Sequence, residues 1–207
     1  ILVVTADKQT KGKGRKGKKW HSPEGNISLS LAFADRELDS PISIATGILV
    51  KDALSEVFNL DTIKLKWPND LVFENKKIGG ILVEKEVYAN FTKTIVGIGI
   101  NLELDKKESW WGDFKDLNGK NLRDKIINKI LMKFEMLFRD RLDDWKSLWN
   151  QSCIHNEAII SVARNDETIK GKYLGVNDAG ELLLENEKGN IISFSSGEVS
   201  IKGIYNK

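Results

Sequence analysis

The sequence predicts an α+β fold, a mixed β-sheet backed by helices, followed by a small β-barrel. Three observations carry this expectation. Short β-branched or alternating apolar runs recur through residues 1–101 around a single helical stripe. From Asn121 to Trp149 the apolar residues recur at helical spacing. After Cys153 the texture changes to short strands between regularly spaced turns. The 207 residues, 41% hydrophobic and 30% charged, suit a globular protein with room for a sizeable core rather than a disordered or collagen-like chain.

The elements follow in order. Ile1–Thr5 is short and β-branched and reads as a buried strand. Residues 7–26 hold Gly12, Gly14, Gly17, Pro23 and Gly25 and read as a long loop. Ile27–Phe33 alternates apolar with small residues, the pattern of a half-buried strand. Ser40 followed by Pro41 reads as an N-cap and first helical residue, and Ile44, Ile48, Leu54 and Phe58 supply that helix's stripe. Ile63–Trp67 is a strand broken by Pro68-Asn69-Asp70, and Leu71–Phe73 and Ile78–Glu84 flank a hairpin connection at Glu74-Asn75-Lys76-Lys77. Thr92–Asn101 is a strand carrying Gly97 and Gly99, which implies close approach of a ligand or another backbone. Residues 105–118 read as irregular. Leu122, Ile126, Ile130, Phe134 and Leu137, then Leu142, Trp145 and Trp149, give one or two helices with a break near Arg139–Asp143. Turns at Asn165-Asp166, Asn177-Asp178-Ala179-Gly180 and Lys188-Gly189 divide the strands of 157–203. The domain boundary is placed near residue 153, giving units 1–153 and 154–207.

Several function classes are disfavoured at once. No apolar run approaches the roughly 20 residues of a membrane span, so no membrane partner is expected. One cysteine, Cys153, forms no internal disulfide framework and fits a reducing, cytoplasmic setting. His21 and His155 lack ligand-spaced partners, so no protein-held metal is expected. The net charge of +2 conceals an asymmetry: Lys8, Lys11, Lys13, Arg15, Lys16, Lys18 and Lys19 crowd twelve residues, and the remainder of the chain carries −5. The anion this protein meets is therefore local.

The cationic stretch Gly12-Lys13-Gly14-Arg15-Lys16-Gly17 matches G-x-G-x-x-G. A dinucleotide fingerprint needs a helix opening at the third glycine, and here Lys18 to Pro23 precede a strand. A P-loop would place Ser or Thr where Lys19 stands. Both are rejected. What remains is a strand-to-strand loop whose cations and glycine amides can close over a phosphate or carboxylate, or a solvated loop, or a nucleic-acid tether.

Three separated stretches resemble one family. Gln9 to Trp20, continuing to Ser22-Pro23-Glu24-Gly25-Asn26, resembles the glycine- and arginine-rich loop of biotin protein ligases. Lys66-Trp67-Pro68-Asn69-Asp70, with Lys77-Ile78-Gly79-Gly80-Ile81-Leu82-Val83-Glu84, is similar to that family's K-W-P-N-D and K-x-x-G-I-L-x-E pair. Gly97-Ile98-Gly99-Ile100-Asn101 is similar to its G-I-G-I-N strand. The resemblance implies a catalytic domain of the class II aminoacyl-tRNA synthetase and biotin ligase type, with an SH3-like C-terminal barrel. It also implies a two-step activity. Biotin and ATP, with Mg2+ carried on the ATP, give biotinyl-5′-AMP, and the biotinyl group passes to a lysine of the biotin carboxyl carrier domain of a carboxylase.

Residue by residue, the resemblance assigns biotin or the adenylate phosphate to Gln9, Lys13, Gly14 and Arg15, with Lys77 on the biotin carboxylate and α-phosphate. Trp20 would pack on the closed loop or the adenine, Lys66 would face the phosphates, and Asn69 and Asn101 would seat nucleotide or metal. Asp70 would orient Lys66 or help the acceptor amine lose its proton. Arg15, Lys66, Asp70 and Lys77 are the catalytic candidates. Trp67, Trp110, Trp111, Trp145 and Trp149 read as packing, and Cys153 as a buried or linker residue.

Two departures from the family pattern stand out. The family's Ser-Thr-Asn segment is expected upstream of Ile1. Lys13, Lys16 and Lys18 stand where arginines are usual, keeping charge but losing the planar fork. No DNA-binding domain is read in this chain, and exposed sheet edges would allow a homodimer. The rival functions are a lipoyl or octanoyl transferase or ligase, and a non-catalytic biotin- or nucleotide-binding module.

Overall fold

The computed structural model describes residues 1–34, 40–105, 108–164, 167–196 and 199–202. Six strands form the first sheet: β1 (Leu2–Ala6), β2 (Ile27–Ala34), β3 (Lys64–Lys66), β4 (Asp70–Phe73), β5 (Lys76–Val87) and β6 (Thr92–Ile100), in the order β1-β2-β6-β5-β4-β3. Every ladder is antiparallel. The parallel pairings that make the sheet mixed are single bridges, Leu65 to Cys153 and Lys77 to Trp111.

One face of this sheet is covered by helices. Strand alternation sends Leu29, Leu31, Ile81, Val96, Ile98 and Ile100 into the core, against α1 (Ile42–Phe58). Helix α1 is buried nearly all round, because α2 (Arg123–Arg139) and α3 (Trp145–Ser152) pack on its outer side. These two helices separate at Asp140–Asp144, close to the expected break. The opposite face of the sheet presents Ser28, Ser30, Gly80, Gly97 and Gly99, small residues that leave it open. The second sheet comprises β7 (Ile159–Arg164), β8 (Glu167–Val176), β9 (Leu182–Asn186), β10 (Ile191–Phe194) and β11 (Val199–Lys202), in the order β10-β9-β8-β7-β11, all antiparallel. The chain thus has the expected architecture, helices on a sheet followed by a small β domain.

Local expectations fail in instructive ways. The strand at Ile1–Thr5 is not buried: β1 is an edge strand with one neighbour, and Leu2 is 64% and Val4 52% exposed. Ser40 is not the N-cap; Pro41 stands there, and α1 begins at Ile42. The hairpin connection tightens to Glu74-Asn75, both left-handed at φ 50° and 58°, the geometry of a two-residue turn. Turns occur at residues 177–180 and 188–189 as expected, while Asn165-Asp166 lies outside the described residues. Among the described residues no helix is long and apolar enough to cross a membrane.

Candidate active site

The long loop between β1 and β2 folds back on itself. Lys13 bridges Lys19, the Trp20 amide donates to the Gly12 carbonyl at 2.9 Å, and the Gly14 amide donates to the Lys18 carbonyl at 2.6 Å. Gly12 is required at this crossing, since a Cβ there would sit 2.6 Å from the Trp20 carbonyl oxygen. The fold-back aims Trp20 at the open face of the sheet. A Cβ on Gly99 would lie 2.6 Å from the indole, so the missing side chain of β6 is the notch that receives it. Gly97 shows no comparable approach; its nearest neighbour is the Leu82 carbonyl at 3.6 Å.

Beside that indole the charged residues converge. Lys77 Nζ lies 5.7 Å from the Trp20 ring centroid and donates to Asp70 Oδ1 at 2.5 Å. In the antiparallel ladder Lys77 stands opposite Val72 and Asp70 opposite Gly80, with a register shift between, so the long Lys77 side chain reaches diagonally to Asp70. Arg15 Nη1 donates to Asn69 Oδ1 at 3.3 Å, and Arg15 Nη2 donates to the Ser196 carbonyl of the C-terminal domain. Burial lowers the Arg15 pKa, opposed by the charge of Asp70. Lys66, 8% exposed at the end of β3, is lowered first by burial; Asp70 opposes this, and Lys77 and Lys18 add to it. Three cations therefore share the neighbourhood of one carboxylate, leaving an excess of positive charge in a half-buried setting. Such a site favours an anion, because the cations are already held in place.

The remaining expected residues take supporting positions. Asn69 is engaged on every side: Nδ2 donates to the Ile81 carbonyl at 2.6 Å, its own carbonyl accepts from the Ile81 amide, and Oδ1 holds Arg15. Asn101 is buried behind the site, where its Nδ2 donates to the Gly112 carbonyl at 3.0 Å. Gly112 in turn donates to the Lys77 carbonyl, so Asn101 braces the backbone that carries Lys77. Lys13 and Gln9 are exposed on the loop.

Two families of sequence models match this chain. The biotin/lipoate A/B protein ligase family matches residues 2–101, and the biotin protein ligase C-terminal domain matches residues 158–202. This chain belongs to the biotin protein ligase family. A bifunctional ligase/repressor BirA from Bacillus spizizenii is 32% identical over 206 residues, covering 90% of this chain and 62% of the relative. The chain thus spans about 62% of that relative's length. A biotin–[acetyl-CoA-carboxylase] ligase of Mycobacterium tuberculosis is 31% identical over 115 residues, covering 52% of this chain and 41% of that protein. Among solved structures, the biotin protein ligase of Aquifex aeolicus in complex with biotin and ATP aligns with a TM-score of 0.76 at 27% identity, over 97% of this chain and 88% of its own.

Within this biotin protein ligase family chain, Arg15, Trp20, Lys66, Asn69, Asp70 and Lys77 come together, and Gly14 shapes the loop above them. Sequence reasoning missed three contributors. Asn26 ties the end of the loop to the exit of β6, accepting from the Leu102 and Glu103 amides and donating to the Pro23 and Glu103 carbonyls. Trp111, read as packing, stacks with His21 at 5.9 Å on the strip that bridges Lys77. Ser196 acts through its carbonyl on Arg15. Only Asn26 had a sequence signal, its place at the end of the loop motif.

Proposed function

We propose that this chain is an ATP-dependent biotin protein ligase. It activates biotin with MgATP to biotinyl-5′-AMP, then transfers the biotinyl group to a lysine of the biotin carboxyl carrier domain of a carboxylase. In this reading residues 1–153 form the catalytic part and 154–207 the C-terminal part. The carrying observation is the group Arg15, Lys66 and Lys77 about Asp70, beneath a glycine-rich loop.

The chemistry needs such a group. A biotin carboxylate oxygen attacks the α-phosphorus of ATP, and pyrophosphate leaves with the electron pair of the broken P–O bond. Nucleophile and electrophile are both anionic, and fixed cations offset their repulsion and the charge that builds on the phosphoryl oxygens. Lys77, oriented by Asp70, serves the biotin carboxylate and α-phosphate; Lys66 and Arg15 serve the phosphates. Gln9, Lys13 and Gly14 belong to the loop that covers the mixed anhydride and keeps water from it. In the second step the acceptor amine attacks the acyl carbon, AMP leaves, and the amine gives up a proton. Mg2+ belongs to the MgATP substrate; among the described residues no group of three His, Cys, Asp or Glu forms a metal site.

The C-terminal match, to a domain described as the biotin protein ligase C-terminal domain, favours biotin over lipoate. The carboxylase in the name of the mycobacterial relative supports the acceptor class. Biotin-dependent exchange of labelled pyrophosphate into ATP, with lipoate as control, tests the first step. Exchange with biotin alone is expected; exchange with lipoate alone would replace this reading with lipoate activation.

A further inference from the structure

Lys66, Asn69 and Asp70 ride on a short stretch whose outer side is covered by the C-terminal part of the chain. The Ile154 amide donates to the Leu65 carbonyl at 2.8 Å, and Cys153 bridges Leu65. Trp67, 1% exposed, donates its indole Nε1–H to the Gly180 carbonyl at 3.0 Å, across 113 residues of sequence. Gly180 closes the turn between β8 and β9 with φ +76°, and a Cβ there would lie 2.9 Å from Pro41 Cβ, so the turn is wedged against the start of α1. The adjoining Ser43 hydroxyl donates to the Pro68 carbonyl at 3.4 Å. Asn177 builds the turn: its Oδ1 accepts from the Ala179 and Glu181 amides at 3.0 Å, and its own carbonyl accepts from Gly180.

We propose that Trp67 is a positioning residue through which the 177–180 turn of the C-terminal domain sets Lys66 and Asn69, and through Asn69 the loop cation Arg15. The inference rests on the ligase reading and deepens it. The physical argument is that Lys66 and Asn69 flank the Trp67-Pro68 pair, and both members of that pair are held by groups outside the first sheet. Asn69 then carries the constraint to Ile81 and Arg15 by three hydrogen bonds. A Lys66 ammonium displaced by even a fraction of an ångström would meet the transferring phosphoryl group in the wrong place.

Two variants and two readouts test this. Trp67→Phe keeps an aromatic ring and removes the N–H. Asn177→Ala loosens the turn from the far side, at a residue outside the group formed by Arg15, Lys66, Asp70 and Lys77. Both should lower kcat for biotin-dependent pyrophosphate exchange by about fivefold, the scale of one buried hydrogen bond, and leave KM for biotin within about twofold. Both should also speed hydrogen exchange at the Ile81 amide, which is held by the Asn69 carbonyl at 2.9 Å. If Asn177→Ala keeps the parent kcat and Ile81 exchange while Trp67→Phe does not, Trp67 acts by local packing and the proposal is wrong. It is equally overturned if both variants lose thermal stability at unchanged kcat and Ile81 exchange. A parent protein that exchanges with lipoate and not with biotin would sink the ligase reading instead, and the Ile81 arm would still decide whether the turn positions Asn69.

Discussion

Acid should weaken this protein through His155. The ring is 1% exposed and its Nε2 has no hydrogen-bond partner among the described residues. Burial, reinforced by the charge of Lys66, holds its pKa down to about 3. In the unfolded chain the same group titrates near pH 6.5. Below about pH 6.5 the unfolded chain takes up a proton that the native protein refuses until pH 3. The stabilisation is therefore complete above the unfolded pKa and drains away as pH falls through that window. At about 1.4 kcal/mol per pH unit, the loss between pH 7.5 and pH 5 comes to about 2 kcal/mol. His155→Asn keeps a polar side chain and removes the titration. Urea unfolding of parent and variant at pH 7.5, 6 and 5 gives the comparison, and carboxylate contributions common to both cancel in the difference. The parent should lose about 2 kcal/mol more than the variant over that range. A difference that stays constant within about 0.5 kcal/mol would mean that His155 is solvated or partnered in solution, and the reasoning fails.

Further outcomes follow from the same geometry. Gly99→Ala puts a methyl group where the Trp20 indole sits, so the loop loses its seat and Lys77 its aromatic neighbour. Pyrophosphate exchange should fall about 3- to 30-fold, the range of a cation–π contact, with urea stability nearly unchanged. Asn26→Ala leaves the amides of Leu102 and Glu103 without their acceptor and should cost about 2–4 kcal/mol in urea unfolding. Lys77→Met removes the partner of Asp70 and the amine assigned to the reacting carboxylate; exchange should drop at least about 100-fold while far-ultraviolet circular dichroism is retained. Lys13→Arg restores a bidentate fork on the loop and should slow release of biotinyl-5′-AMP, measured by chase; equal off-rates would remove any role for the lysine substitutions.

The charged cluster was legible because its residues sit in strings of adjacent positions. Lys66 to Asp70, Lys77 to Glu84 and the loop around Arg15 are each contiguous, and pairing β4 with β5 leaves the Lys77 side chain within diagonal reach of Asp70. Burial was less legible. A β-branched run such as Ile1–Thr5 specifies a strand, but whether that strand is central or at an edge depends on partners far along the chain. Asn69 and Asn101 were found as motif positions, yet their work is to hold Arg15, Ile81 and Gly112, which no spacing rule announces. The strip at Trp110–Gly112 escaped for the same reason, since its tie to Lys77 runs through main-chain atoms.

Main-chain atoms also carry the C-terminal domain's hydrogen bonds with Trp67 and Arg15. It meets Trp67 with the carbonyl of Gly180 and Arg15 with the carbonyl of Ser196. A carbonyl is common to all twenty amino acids, so apart from Asn177 and Gly180, which shape the turn, this dialogue leaves little imprint on the alphabet of the strands. Point changes along its strands can accumulate while the contacts to the first domain persist, as long as the backbone path is kept. An inserted or deleted residue in either turn would interrupt it at once. In engineering this protein, the length of the 177–180 turn and the identities of Asn177 and Gly180 deserve more caution than side-chain identity along the strands.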